Sequence, residues 1–531
     1  MVMLGILRMD IGMVTGMSAA EVHLEDLPLI ETEVLVVGAG PTGLMAGVVC
    51  ATRSVPAVVV DRKAGPTRES RALAVQARTM EIYDQLGLAD QVLARANTAV
   101  RFQIGQNGSP GGFSIEQLQQ GATRFPGVKI FEQSRNEQLL YEALTGRGGD
   151  VLWGHRLIDL VDKTADPDGR ILALLEGAGG LVRVRARWCI GADGASSTVR
   201  RDLDVRFDGV TDDATFWVAD IHDASGVPDG AVAARFGAST FAVIFPLGPG
   251  GHVRLIALAL HDSVTQDEAL GSAHDDLGIT FGQVDWFSTY RVHHRVASRF
   301  RVGSVFLAGD AGHVHSPVGG QGMNTGLQDA HNLALLLTDI TQGRCDAGSL
   351  DRYERERRPV AVRLVKVTDR AFGIVGRRSV AASLLRNRAS GLGASIFPRI
   401  ARSRLGARLG GYLGQYRIRY HYLDGKAPVP AWADDPAVGL RLPPADGNHE
   451  PLRSMTWQMH TYGAGEIIRP GWPAWIDGPY AFRADPRARL RSDRLYLVRP
   501  DGFVAASVPL RGHVADEAQL RLVTAAHRLI T

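Results

Sequence analysis

Gly38, Gly40 and Gly43 stand at the spacing Gly-x-Gly-x-x-Gly, directly after the apolar run Glu33-Val-Leu-Val-Val37. Each has its own steric task. Gly38 permits a tight turn off a strand, Gly40 lets a pyrophosphate approach the backbone, and Gly43 lets the following helix pack closely. Pro41 and Thr42 stand between the glycines, ahead of that helix, whose N-terminal N–H groups and partial positive charge suit phosphate. Asp61 comes 18 residues after Gly43, at the tip of the next strand, where a carboxylate can accept hydrogen bonds from a ribose with a free 2′-hydroxyl. The chemistry implied is dinucleotide binding. This fingerprint alone does not choose between a flavin and a nicotinamide dinucleotide.

Two later segments bear on that choice. One reads Gly191-Ala-Asp193-Gly194-Ala-Ser-Ser-Thr-Val-Arg200. The other runs from Gly303 through Gly309-Asp310-Ala-Gly-His313 into Ser316-Pro317-Val-Gly319-Gly320-Gln-Gly322-Met323-Asn324. Upstream lie Arg71, which opens Arg-Ala-Leu-Ala-Val-Gln-Ala-Arg78, and Gln133 in Glu-Gln-Ser-Arg. Read singly, Asp193 is a turn residue, Arg71 a surface cation and Gln133 a helix cap. Their joint order outweighs those readings. Arg78 and Arg135 read as partners in solvated salt bridges.

In this order the motifs resemble those of the para-hydroxybenzoate hydroxylase family, the group A FAD-dependent aromatic hydroxylases. The closest likeness is to the hydroxylases that tailor aromatic polyketides. It is strong over about residues 31–370 and looser beyond. The resemblance implies that FAD is the cofactor, with Gly38, Gly40, Pro41, Thr42 and Gly43 at its pyrophosphate and Asp61 and Arg62 near its ribose. Arg71 would reach the phosphates through a charge-assisted contact, and Gln133 would touch the cofactor. Asp193 and Gly194 would sit beside the pyrophosphate and the approach of NAD(P)H. Gly309 and Asp310 would hold the ribityl chain, with Asp310 as its acceptor. Pro317, Gly319, Gly320, Gly322, Met323 and Asn324 would form a wall against the flavin ring. Glycines there leave room for a planar ring, and the following helix start favours negative charge on it.

The elements needed to hold these residues are also legible. Glu33–Val37, a helix from Leu44 to Thr52 and the strand Ala57–Val60 make one βαβ unit, hence a parallel sheet. From about Phe207 to Leu260 the texture changes to short alternating strands, Thr215–Ile221, Thr240–Phe245 and His252–Leu258, separated by turn residues, as in an antiparallel sheet. Nucleotide-type texture returns at Ser304–Ala308, followed by helices at Thr325–Ile340 and Asp351–Thr368. The fold expected is α/β: a Rossmann-like FAD-binding domain, an antiparallel-sheet substrate domain and a C-terminal thioredoxin-like domain. The boundaries expected are 1–30 for an N-terminal extension, 31–100, 128–206 and 296–395 for the FAD-binding domain, 101–127 and 207–295 for the substrate domain, and 405–531 for the C-terminal domain. The likeness to thioredoxin is best in Leu495-Tyr-Leu-Val-Arg-Pro-Asp-Gly-Phe-Val504. No cysteine follows Cys345, so the redox pair of thioredoxin is missing and a structural role is implied.

Composition narrows the partners. The chain has 531 residues, 45% hydrophobic and 22% charged, with a formal charge of +3. It is long enough for several cores. Scattered arginines and a nearly balanced charge argue against nucleic acid. No apolar stretch approaches the roughly 18 residues of a membrane span. Cys50, Cys189 and Cys345 show neither metal spacing nor a disulfide framework,. Cys50 and Cys189 fall in apolar patterns and read as buried packing. A cytoplasmic monomer or homodimer without a metal is expected.

Gly177-Ala-Gly-Gly180 lacks a following helix, so no second dinucleotide motif is present. With one such domain, the enzyme would take its hydride from transiently bound NADPH or NADH. The resemblance implies a C4a-hydroperoxyflavin that passes one oxygen atom of O2 to a small-molecule aromatic substrate, here a polycyclic polyketide. Catalytic side chains are unknown from sequence. Trp217, Phe241 and Phe245, with His222, lie in strands that would cover the flavin, and the three aromatics are the candidate substrate contacts. His313 reads as a structural hydrogen-bonder or an acid–base group. Open alternatives are a Baeyer–Villiger or epoxidising oxygenase on the same scaffold, and a flavin-binding protein without turnover. A halogenase fits less well, because Trp472-Pro-Ala-Trp475-Ile lacks the Trp-x-Trp-x-Ile-Pro spacing.

Overall fold

In the computed structural model, residues 24–67, 72–105, 111–161, 169–315, 320–375, 403–421 and 429–530 are described. Arg71, Pro317 and Gly319 lie outside them, as does most of the expected N-terminal extension.

Among the described residues, the first sheet runs in the order Arg301–Val302, Val305–Leu307, Gly180–Gly191, Leu29–Val37, Ala57–Asp61 and Val151–Trp153. From Val305–Leu307 to Val151–Trp153 the neighbours are parallel. Their carboxyl halves, Val34–Val37, Val59–Val60, Trp188–Ile190 and Val305–Leu307, are apolar and buried, as in a sheet covered on both faces,. The fingerprint helix Pro41–Thr52 packs on one face, with Leu44 to Cys50 buried. Gly177 and Gly180 face each other across an antiparallel hairpin, so the turn read from the sequence is a turn. Cys50 and Cys189 are buried and free.

A second eight-stranded sheet forms a lid. Its order is His313–Val314, Gln283–Ala297, Phe207–His222, Val253–Leu258, Phe241–Pro246, Ala231–Phe236, Arg101–Gly105 and Gly111–Ser114. All its pairings are antiparallel except Ala231–Phe236 with Arg101–Gly105. One face carries Trp217, Ala219, Ile221, Leu255 and Ala257 and packs on the helix Gln266–Leu277. The other carries Phe216, Val218, Phe241, Phe245 and Ile256 and packs toward Leu73, Ala74, Val128 and Ile130 of the nucleotide-binding part.

The C-terminal sheet, in the order Asp477–Phe482, Gln458–Tyr462, Arg494–Val498, Val504–Arg511 and Val514–Ala515, mixes parallel and antiparallel pairs. The helix Glu517–Ala526 follows. Strand period separates its faces. Leu495 and Leu497 join the core of the nucleotide-binding part, while Tyr496 and Val498 join a smaller cluster of their own.

Buried charges lock this sheet in place. Arg499 reaches Glu356 at 2.5 Å and Asp501 at 2.6 Å, and Asn332 also donates to both acids. The Trp457 indole N–H donates to Asp339 at 2.8 Å, and Arg53 pairs with the other oxygen of that carboxylate at 2.8 Å. Arg78 corrects an expectation. It is 3% exposed, donates to the Asp501 carbonyl at 2.5 Å and lies over the Phe503 ring. It is a buried anchor between two parts of the chain, a role that needs residues more than 400 positions away and leaves no local pattern. Arg135 is the exposed partner of Glu132 at 3.1 Å, as expected.

Candidate cofactor and substrate site

Leu307, Gly191, Val37 and Val60 lie side by side in register across four parallel strands. Three chain segments leave the sheet one residue later, at Ala308, Ala192 and Gly38, while Asp61 is the last residue of its strand. Segments far apart in sequence thus converge on one level at the carboxyl edge of a parallel sheet, where open α/β folds bind ligands. Backbone bonds tie them: Ala192 N–H donates to Val37 at 2.7 Å, Gly38 N–H to Val60 at 2.8 Å and Ala308 N–H to Gly191 at 3.0 Å.

The glycines divide into two kinds. A methyl group on Gly43 would stand 1.7 Å from the Gly38 carbonyl oxygen, and one on Gly38 2.3 Å from that of Ala192. Those two are dictated by packing. Gly40 has φ −77°, which any residue adopts, and a methyl group there meets nothing within 4 Å. Nothing in the polypeptide demands glycine at Gly40. The open space beside its backbone fits a ligand lying against it.

Asp61 both braces this turn and faces outward. One carboxylate oxygen accepts the Ala39 N–H at 2.7 Å and the other the Lys63 N–H at 2.8 Å, each keeping a second lone pair,. Arg62 is exposed. Asp193 caps the helix Thr198–Asp202 with one oxygen, accepting from Thr198 at 2.6 Å and Val199 at 3.1 Å. Its other oxygen is buried without a hydrogen-bond partner, which is costly unless a ligand or water completes it. Gly194 beside it has φ +82° and open space where a side chain would stand. These features fit a dinucleotide.

Asp310 is accessible yet surrounded by protein, and that surrounding pushes its carboxyl above the ordinary range while His313 opposes. Such a residue lies on the floor of a cleft. Its loop is held from below by Asp329, which accepts the Gly309 N–H at 3.2 Å, His313 Nε2 at 2.7 Å and Arg357 at 2.7 Å. Burial alone would raise the Asp329 carboxyl, but Arg357 and His313 hold it below its ordinary value. His313 is 1% exposed and also stacks on Phe300. Its Nε2 is spent on Asp329, while Nδ1 is buried without a hydrogen-bond partner. Asp329 was not found from the sequence, although an acid inside the apolar helix Gly322–Thr341 was a signal.

The ring wall is braced the same way. Asn324 spends its whole side chain on protein, accepting from Gln76 N–H and the Thr79 hydroxyl at 2.8 Å and donating to Ala74 at 2.7 Å and Gly320 at 2.8 Å. Only its backbone is left for a ligand. Met323 accepts a bond from Asn136 at 3.3 Å. Gln133 begins the helix Gln133–Thr145, its N–H on Ala72 at 2.9 Å and its amide on Glu137 at 2.9 Å. Gln415 also went unseen. Its amide is shared among Thr325 at 3.0 Å, Gln321 at 3.4 Å and Gln328 at 2.5 Å, with backbone φ +56°.

The inner lid face carries Phe241 and Phe245, packed in one cluster with Leu73 and Ala74. Trp217 points the other way. It is fully buried under the helix Gln266–Leu277, which corrects its place among the candidate substrate contacts. Phe216 and Trp217 are both buried, on opposite faces, so no polar alternation marked which one looked inward. Arg254, on the inner face, pairs with Asp220 at 2.6 Å and reaches Glu132 at 3.4 Å, bridging the lid to the nucleotide-binding part. At the end of the same strands His222 and His252 stack at 3.9 Å, with Asp285 2.6 Å from His222. Their parallel rings do not aim lone pairs at a common point, so the trio as placed is not a formed metal site.

Residues 31–368 match the protein family described as FAD binding domain. The chain belongs to that family. It is a flavoprotein monooxygenase of the para-hydroxybenzoate hydroxylase type and it uses FAD. The 6-methylpretetramide 4-monooxygenase of Streptomyces rimosus is 32% identical over 92% of this chain and 93% of its own. Among solved structures, CabE, an aromatic hydroxylase from angucycline biosynthesis, superposes with a TM-score of 0.73 at 29% identity, covering 94% of this chain and 99% of its own. OxyS, an anhydrotetracycline hydroxylase from Streptomyces rimosus, gives 0.72 at 27% identity, covering 94% and 99%. The α/β fold with its lid and C-terminal sheet is therefore that of the FAD-dependent aromatic hydroxylases, and the enzyme acts on an aromatic small molecule. Among the described residues no helix is long and apolar enough to cross a membrane.

Proposed function

We propose that this enzyme hydroxylates a polycyclic aromatic polyketide, a phenol or quinone, in antibiotic biosynthesis, and that it works in the cytoplasm as a monomer or homodimer without nucleic acid or membrane as partner. The reading rests on one observation above the others: the level row Leu307–Gly191–Val37–Val60, at which the Gly38, Asp61, Asp193 and Gly309 segments converge. Its relatives, a pretetramide monooxygenase and an angucycline hydroxylase by name, supply the substrate class.

In this reading bound FAD would supply the redox chemistry, accepting hydride from NADPH or NADH and, with O2, passing one oxygen atom to the aromatic ring. The chain positions and shields. Gly38 to Gly43, Arg71, Asp193 and Gly194 hold the pyrophosphate, Asp61 and Arg62 the adenosine ribose, and Gln133 a neighbouring part. Asp310, beside Gly309, accepts from the ribityl hydroxyls. Pro317, Gly319, Gly320, Gly322, Met323 and the Asn324 backbone line the ring, and the helix Gly322–Thr341 turns its N-terminus toward it. Phe241 and Phe245 meet the substrate on the apolar lid, which keeps bulk water from the reacting centre. We divide the chain at the boundaries expected from the sequence: the lid sheet takes seven strands from 101–114 and 207–297, with His313–Val314 added at its edge from the FAD-binding stretch.

The test is NADPH and NADH consumption by purified protein against a panel of polycyclic phenols, with mass analysis of products. Oxidation that rises with one class of phenol and yields a product 16 mass units heavier supports the reading. Consumption unmoved by every aromatic added contradicts it.

A further inference from the structure

Gln76 is a polar residue in an apolar place. It follows Leu73, Ala74 and Val75, is 2% exposed and stands at the N-cap of the helix Ala77–Gln85. Its side chain does not cap that helix, and Gln is not a residue that caps well. Its backbone N–H is already used by Asn324. The side-chain oxygen Oε1 is buried with no hydrogen-bond partner, an arrangement folded proteins seldom leave uncompensated. The amide nitrogen lies 3.9 Å from where a methyl group on Gly320 would stand. Gly320, at φ +60°, is held by its carbonyl to Asn324 and belongs to the loop that faces the flavin. An unspent carboxamide thus adjoins the ring wall.

We infer that Gln76 is a flavin-binding residue that recognises the pyrimidine edge of the isoalloxazine. That edge carries the single N–H of the oxidised ring, at N3, flanked by carbonyl oxygens. A carboxamide matches it, with Oε1 accepting the N3 proton and Nε2 donating to a neighbouring carbonyl. The inference rests on the FAD reading above. It adds a contact that the glycine-rich motifs do not supply.

The test compares FAD with N3-methyl-FAD in apoprotein reconstitution, followed by fluorescence quenching and the visible flavin spectrum. Wild-type protein binds the methylated cofactor at least about tenfold more weakly. In Gln76→Met, which keeps length and removes both polar atoms, FAD itself weakens about tenfold, its absorption band shifts and the preference between the two flavins disappears. Gln76→Glu, isosteric and charged, lowers the flavin midpoint potential and serves if the Met variant does not fold. Equal discrimination by wild type and variant, or an unmoved spectrum and potential, overturns the role of Gln76 while leaving FAD binding intact. An apoprotein that takes up neither flavin overturns the FAD reading itself.

Discussion

Thr42 of the phosphate fingerprint and Gly309 of the Gly-Asp segment are in direct contact: a methyl group on Gly309 would stand 2.5 Å from the Thr42 hydroxyl oxygen. One on Gly326, in the helix behind, would stand at the same 2.5 Å. A threonine seated between two glycines fixes the spacing between the fingerprint turn and the Gly309-Asp310 loop. Two motifs more than 260 residues apart form one surface.

The two kinds of glycine predict two phenotypes. Gly40→Ala leaves the apoprotein stable to within about 1 kcal/mol, because the added methyl group meets nothing within 4 Å. It weakens FAD binding at least about tenfold, or about 1.4 kcal/mol. Gly43→Ala forces contact with the Gly38 carbonyl and yields protein that melts early or does not accumulate. Thermal unfolding of apoprotein beside flavin titration separates them.

Asp329→Asn removes the charge that neutralises Arg357 in the interior. Breaking a buried pair of this kind costs about 3–5 kcal/mol, and the Gly309 loop loses its support. Chemical denaturation should show the loss, and residual folded protein should bind FAD weakly. A variant as stable as wild type would remove Asp329 from the account.

The inner and outer lid aromatics should part company in kinetics. Phe245→Ala raises KM or changes the preferred phenol with little loss of stability beyond its buried area. Trp217→Ala lowers stability by about 3–5 kcal/mol, with KM of the surviving enzyme unchanged. Steady-state assays with urea melts on both variants decide this.

Acid should loosen the protein. Burial pushes His331, His460 and His527 down to about 3 and His449 to about 4. The unfolded chain takes up protons near pH 6.5, while the folded one stays neutral there. Their contribution is therefore complete above pH 6.5 and is lost as the pH falls toward 4. Each residue removes about 1.4 kcal/mol per pH unit within that window. Melting temperature should drop steeply from pH 6.5 to 4.5, and His460→Gln should flatten the slope.

Much of this was legible because glycine spacing and strand texture are local. Gly38 to Gly43, Asp61 and Gly309-Asp310 carry their geometry in a few adjacent residues, and the strand read at Ala57–Val60 is observed at Ala57–Asp61. What escaped is set by distant partners. Arg78, Asp329 and Gln415 are polar residues buried against segments far along the chain, and a polar letter in the sequence reads as solvent-facing until its partner is known. The face of Trp217 escaped because its strand is buried on both sides, so period alone could not orient it.

The most direct measurement is turnover under 18O2 with an aromatic substrate that stimulates NAD(P)H oxidation, read by mass spectrometry. The account predicts one 18O atom in the hydroxylated ring and FAD recovered with the protein. A colourless protein, or a product that carries no label while peroxide accumulates, would contradict it.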